Sequence, residues 1–197
     1  MEHPDTINTM ANLAATYQNF GKYTVAEKLN IQVLDERSRI FGVEHPDTIN
    51  TMANLADTYQ NLGKYTEAEK LNIQVLNARN RILGVEHPDT INTMANLAAM
   101  YKNLGKYTEA EKLDIQVLDA RNKVFGPEHP HTIQAMDNLS VALRHLGKYT
   151  EANKLVIQAQ EVKSRVPGPE SPHNIATMVN VEEAKENQLP NATSTVL

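Results

Sequence analysis

At 197 residues the chain is long enough for one ordinary domain, and its 41% apolar content can build a core if neighbouring segments share it. A net charge of −5 argues against a general binder of nucleic acid or of anionic membrane, and the lack of cysteine excludes disulfides and thiolate chemistry. The opening MEHPDTINTM has neither the basic start nor the apolar run of a secretion signal, and no stretch approaches the roughly 18 apolar residues that cross a bilayer; a soluble cytoplasmic protein is expected.

The elements recur every 42 residues. His3-Pro4, His45-Pro46, His87-Pro88 and His129-Pro130 open four copies, a faded Ser171-Pro172 opens a fifth, and the first two copies differ at only 7 of 42 positions. A period of this length signals stacked supersecondary units, each of which hides its apolar face against the next. Four units are expected at about 1–42, 43–84, 85–126 and 127–168, followed by a half-repeat capping helix over 169–189 and a flexible tail over 190–197.

Within a unit the first helix is read from Ile7, Met10, Leu13, Ala14 and Tyr17 at helical spacing. Pro4 suits its first position and Asp5 its positive end, while Gly21 offers the left-handed conformation that closes a helix. Tyr17, Tyr59 and Tyr101 are expected to be packing residues. The second helix carries Ala26, Leu29, Val33 and Ile40 on one face. The pairs Thr24/Glu27, Thr66/Glu69 and Thr108/Glu111 fit the T-x-x-E capping box, which the fourth copy breaks with Asn153. Asp35 with Arg39 and Asp119 with Lys123 are spaced for i,i+4 ion pairs. Gly42, Gly84, Gly126 and Gly168 end these helices.

Beyond the fourth unit, Ile175, Met178 and Val181 keep the first-helix pattern before Glu182, Glu183, Lys185 and Glu186 turn it polar, as a terminal cap requires. The N-terminal end lacks such a device. A longer protein, a partner, or another copy that self-associates through this uncapped face would cover it.

With Leu13, Ala14, Tyr17, Gly21, Tyr23, Ala26 and Val33 placed, the unit resembles a tetratricopeptide repeat, about eight residues longer than the roughly 34-residue standard. The longer form, with NLA-x2-Y, GKY-x-EAE and LG-x-EHPDT, resembles the repeats of kinesin light chains and the C-terminal arrays of fungal NLR-like (STAND) signalling ATPases. The resemblance covers residues 1 to about 168. It implies an all-α, right-handed α-solenoid of four helix-turn-helix units plus a C-terminal capping helix, with the first helices lining a concave groove for an extended peptide. The function implied is a non-catalytic protein-interaction scaffold with a protein or peptide partner. The alternative is the sensor or assembly end of a larger signalling ATPase.

The candidate groove residues form a ladder: Asn8, Asn12 and Asn19, then Asn50, Asn54 and Asn61, then Asn92, Asn96 and Asn103. An amide offers two donors and an acceptor, so a row of them can pair with the backbone of an extended chain. The same residues could instead bridge neighbouring units. Asn12 and its equivalents lean towards that role, and Asn8 and Asn19 towards the groove. Towards the C-terminus Gln18 and Gln60 give way to Lys102 and Arg144, and Asn103 to His145, which suits a carboxylate-bearing ligand or reflects drift in a terminal repeat.

Other motifs fail on spacing. The repeated histidines lie one unit apart, too far to share a metal, and are better read as helix caps; His129-Pro130-His131 is too tight and lacks further ligands. Gly-Lys-Tyr-Thr lacks the serine or threonine that must follow a phosphate-loop lysine. The sequons at Asn138 and Asn191 have no secretion signal to make them act. No nucleophile with a base can be placed, so neither catalysis nor a cofactor is expected, and no nucleic acid or membrane partner.

Overall fold

The computed structural model describes residues 4–165, and the expected capping helix and tail lie outside these residues. Eight helices follow in order: α1 Pro4–Asn19, α2 Tyr23–Phe41, α3 Pro46–Asn61, α4 Tyr65–Leu83, α5 Pro88–Asn103, α6 Tyr107–Phe125, α7 Pro130–His145 and α8 Tyr149–Arg165. Each packs chiefly on its neighbours in sequence, and α1 also touches α3. The result is a right-handed α-solenoid of helix pairs. No helix among the described residues is long and apolar enough to cross a membrane.

Local chemistry sets where each helix begins and ends. His45, His87 and His129 are N-caps in extended backbone. Each imidazole Nδ1 accepts the N–H two residues on, at 3.2, 3.2 and 3.1 Å, and proline takes the first helical position where no N–H is needed. The histidines are therefore caps. Phe41 and Phe125 stack on His45 and His129 with centroids 4.6 Å apart, which fixes the ring orientation.

The hairpin turn inside each unit is a Schellman motif. In the first unit the Lys22 N–H reaches the Tyr17 carbonyl at 2.8 Å and the Gly21 N–H reaches that of Gln18 at 2.9 Å. Gly21 sits at φ +70°, in the left-handed region where a side chain is strained.

The expected capping boxes do not form. Each second helix starts two residues earlier than the box requires, with Lys22, Lys64 and Lys106 at the N-cap and no side-chain cap bond. The Schellman turn already fixes the chain path into the helix, so Thr24 falls inside the first turn and Glu27 points elsewhere. The expected i,i+4 pairs are also replaced: Arg39 bonds Glu36, and Lys123 reaches back to Glu86 in the loop before α5 at 3.4 Å.

The core runs through the joints between units as well as within them. Ala68 of α4, Leu97, Met100 and Tyr101 of α5, Ala110 of α6 and Ala142 of α7 form one buried cluster spanning three helix pairs. Leu55, Leu97 and Leu139 are 3, 2 and 5% exposed because the preceding unit covers them, whereas Leu13 at the same position of α1 is 42% exposed. The tyrosines pack as expected, Tyr101 buried and Tyr17 and Tyr59 half-buried, with buried Leu143 in their place in α7.

Candidate peptide-binding groove

All nine ladder asparagines are exposed on the odd-numbered helices, as are Arg144 and His145. The structure separates them by what they touch. A repeated arginine from the second helix reaches the first rung: Arg37 Nη2 donates to Asn8 Oδ1 at 2.9 Å while its Nη1 donates to the Asp47 carbonyl and Thr51 Oγ1 of the next unit at 3.0 and 2.9 Å. Arg79 repeats this on Asn50 Oδ1, the Asp89 carbonyl and Thr93 Oγ1 at 2.8, 3.3 and 2.7 Å. The planar guanidinium fork spans two units because its donors diverge in one plane. Arg121 of the third unit keeps the equivalent carbonyl, that of His131, at 2.9 Å, but the fourth unit has Ala135 in place of the threonine and Arg121 meets Gln134 Oε1 at 3.4 Å instead.

With Oδ1 taken by arginine, Asn8 and Asn50 keep their amide N–H groups for solvent or a ligand. Asn61 donates to the Asp57 carbonyl one turn back at 2.8 Å. A cleft of about 300 Å³ opens between α3 and α5, lined by Asp57, Gln60, Asn61, Asn96 and Ala99. Two rungs from successive units, Asn61 and Asn96, thus meet in one concavity. Asn12, Asn54 and Asn96 occupy equivalent exposed places, as do Asn19, Asn61 and Asn103.

The basic end divides. His145 stacks on Tyr107 at the start of α6, centroids 4.1 Å apart and rings 3° from parallel, and stays at the surface. Lys102 turns inward. Its ammonium donates to Asp114 Oδ2 at 3.0 Å and to the Asn138 carbonyl at 3.3 Å, and the two side chains are only 13 and 3% exposed. Burial raises the Asp114 carboxyl above its ordinary value, with Lys102 and Arg121 pulling it back down. In the first unit the corresponding residues are neutral: Gln18 Nε2 donates to the Asn54 carbonyl at 2.9 Å and to Thr58 Oγ1 at 2.6 Å, and Asn30 Nδ2 donates to the same hydroxyl at 3.2 Å. For the second unit, Met100 of the third stands where that hydroxyl would be, and Asn72 Nδ2 is left buried without a partner among the described residues.

A further set of polar residues went unread in the sequence. The glutamates of the supposed capping boxes bind the turn lysine of the next unit: Glu27 with Lys64 at 2.6 Å, Glu69 with Lys106 at 2.7 Å and Glu111 with Lys148 at 2.6 Å. Lys64 and Lys106 also lie over the Tyr59 and Tyr101 rings, and the Tyr101 hydroxyl donates to Glu69 at 3.0 Å. The hydrogen bonds from Lys106 and Tyr101 hold Glu69 below the usual glutamate range, while burial and Glu69 push Tyr101 up to about 12. The signal was present in the sequence: the glutamate is lost at Asn153, and one period beyond Lys148 the lysine is lost too, at Pro190.

The comparisons agree on the architecture. Models of the tetratricopeptide repeat match residues 5–60 and 92–156, and a second such model matches 48–89. Among solved structures, a Podosopora anserina protein with nearly identical TPR-like repeats, assigned to the kinesin light chains, is 28% identical, with 95% of this chain and 90% of that one covered at a TM-score of 0.76. BtubC (BKLC) from P. vanneervenii is 18% identical and shares the fold over 100% of this chain and 71% of its own, at a TM-score of 0.75. No curated protein gives a significant sequence match. Four helix pairs joined by glycine-closed turns, together with the matched family models, place the chain in the tetratricopeptide repeat family, whose members generally mediate protein–protein interactions.

Proposed function

We propose that the chain is a non-catalytic scaffold that docks an extended segment of a partner protein along the amide-lined face of α1, α3, α5 and α7. The observation that carries this reading is the cleft between α3 and α5, where Asn61 and Asn96 from successive units meet beside Gln60. Amide groups spaced along a groove bind the backbone of a strand whatever its sequence, and the pockets between them sort its side chains. Asn8 and Asn50, oriented by Arg37 and Arg79, present donors to a peptide carbonyl. Lys102 leaves the groove set because its ammonium is engaged with Asp114.

The test compares the wild-type chain with Asn54→Ala/Asn61→Ala/Asn96→Ala as baits in a cell extract, with captured proteins identified by mass spectrometry. All three residues are exposed, so the variant keeps its helical circular dichroism. Partners held by the wild type and lost by the variant support the groove. Partners held equally by both place binding on another surface and reject it.

A further inference from the structure

Along the groove face, the positions one turn from each rung run Ala15, Asp57, Ala99 and Val141. Asp57 is one of only 7 differences between the first two copies, and it puts a carboxylate in a row that is otherwise aliphatic. The rest of that face in the first three units is built from Asn8, Asn12, Asn19 and their equivalents, which carry no charge.

Asp57 lines the cleft of about 300 Å³ with Gln60, Asn61, Asn96 and Ala99. The small side chain of Ala99 leaves the space in front of the carboxylate open. Among the described residues no hydrogen bond or ion pair reaches the exposed Asp57 carboxylate, whereas Glu27, Glu69, Glu111 and Asp114 at the joints are all paired. The group touches solvent through the open side of the cleft. The walls still strip enough of its hydration to raise its carboxyl above the ordinary range, with the Arg79 guanidinium pulling the other way. Arg79 is held on Asn50, Thr93 and the Asp89 carbonyl. An incoming cation would replace the missing hydration, and the neighbouring amide oxygens of Gln60, Asn61 and Asn96 would accept its remaining donors.

We infer that Asp57, with Gln60, Asn61 and Asn96, forms a specificity pocket for a lysine or arginine side chain of the docked segment. This rests on the groove reading and names the chemistry of its ligand: an extended peptide with a basic residue at one fixed place. Arginine is the better fit, because its planar fork can meet the carboxylate with two donors and still offer others to the amides.

The test pans the immobilised full chain against a phage-displayed library of random peptides, beside Asp57→Asn, Asp57→Lys and the triple variant Asn54→Ala/Asn61→Ala/Asn96→Ala. The selected peptides are then made synthetically and their affinities measured by fluorescence anisotropy. Wild type should enrich one basic position. Those peptides should bind Asp57→Asn about tenfold more weakly, a typical loss for one partly desolvated charge pair, and Asp57→Lys should enrich an acidic residue at the same place. Peptides that depend on the asparagines but show no basic preference and bind Asp57→Asn unchanged would overturn this inference and leave the groove standing. No enrichment, or enriched peptides indifferent to the triple variant, would overturn the groove reading and this inference with it.

Discussion

Lys102 and Asp114 form an ion pair of 3.0 Å inside the stack, at the two positions where the first unit carries Gln18 and Asn30. Both members changed together, so the polar contact was kept while its charge type changed. A buried charge without its partner is far costlier than a buried pair.

That asymmetry sets the first expected outcome. Lys102→Met leaves the Asp114 carboxylate stranded, and Asp114→Leu strands the ammonium; each should cost about 3 kcal/mol, whereas the double change should come within about 1 kcal/mol of the wild type. Urea denaturation followed by circular dichroism measures all four proteins. The Asp114 carboxyl lies above its ordinary 3.8 when folded, so its contribution is most favourable below that value and is lost as pH rises through the folded one. Lys102→Met removes the group that opposes the shift, so its deficit should shrink in acid. A deficit that grows as pH falls would contradict the assignment.

The glutamate–lysine joints predict the opposite behaviour in acid. Glu69 is held below its ordinary 4.5 by Lys106 and Tyr101, so the stability it adds is present above 4.5 and is lost as pH falls through its folded value. Tyr101, pushed up from 10.0 to about 12, adds stability that is present below 10.0 and disappears between that value and about 12. Glu69→Gln should therefore flatten the acid limb of a plot of melting temperature against pH, and Tyr101→Phe the alkaline limb. Tyr59 is raised as well, by burial and by Glu27, so absorbance at tyrosine's ionisation band should show late-titrating phenols, and the Tyr101→Phe variant should lack the one near 12.

Position in the stack should decide the cost of an identical deletion. Leu97→Ala empties a site that is 2% exposed and walled by two units, so a loss of about 2–5 kcal/mol is expected. Leu13→Ala acts on a side chain that is 42% exposed, and should cost less than about 1 kcal/mol. Thermal melts of the two variants side by side check this, and equal losses would mean that the outer face of α1 is covered in solution.

The groove candidates show where reading residues in isolation stops. Asn8 was placed on the free edge of a helical wheel, and it is exposed there, but its oxygen is held by Arg37, 29 residues away. Lys102 follows Gln18 and Gln60 at a polar position, which points to a groove cation; its partner, Asp114, lies on the second helix at a place that the first two units fill with asparagine. A helical wheel gives the direction of a side chain from its own axis, and a long side chain can turn from there towards whatever the next helix offers. Pairs that change together between copies were the available clue in both this case and that of Glu27 and Lys64.

The sequence alone settled the helix pairs, their turns and the family, because those depend on short-range chemistry repeated four times in register: His-Pro at each start, Gly-Lys-Tyr at each hairpin, and apolar residues spaced for one face. The tertiary structure alone decided which polar groups lock the units and which stay exposed on the face of the odd-numbered helices. Contacts such as Lys64 with Glu27, 37 residues apart, exist only once the angle between successive helix pairs is set. That angle comes from side-chain packing across the joint, which the period of a sequence does not encode.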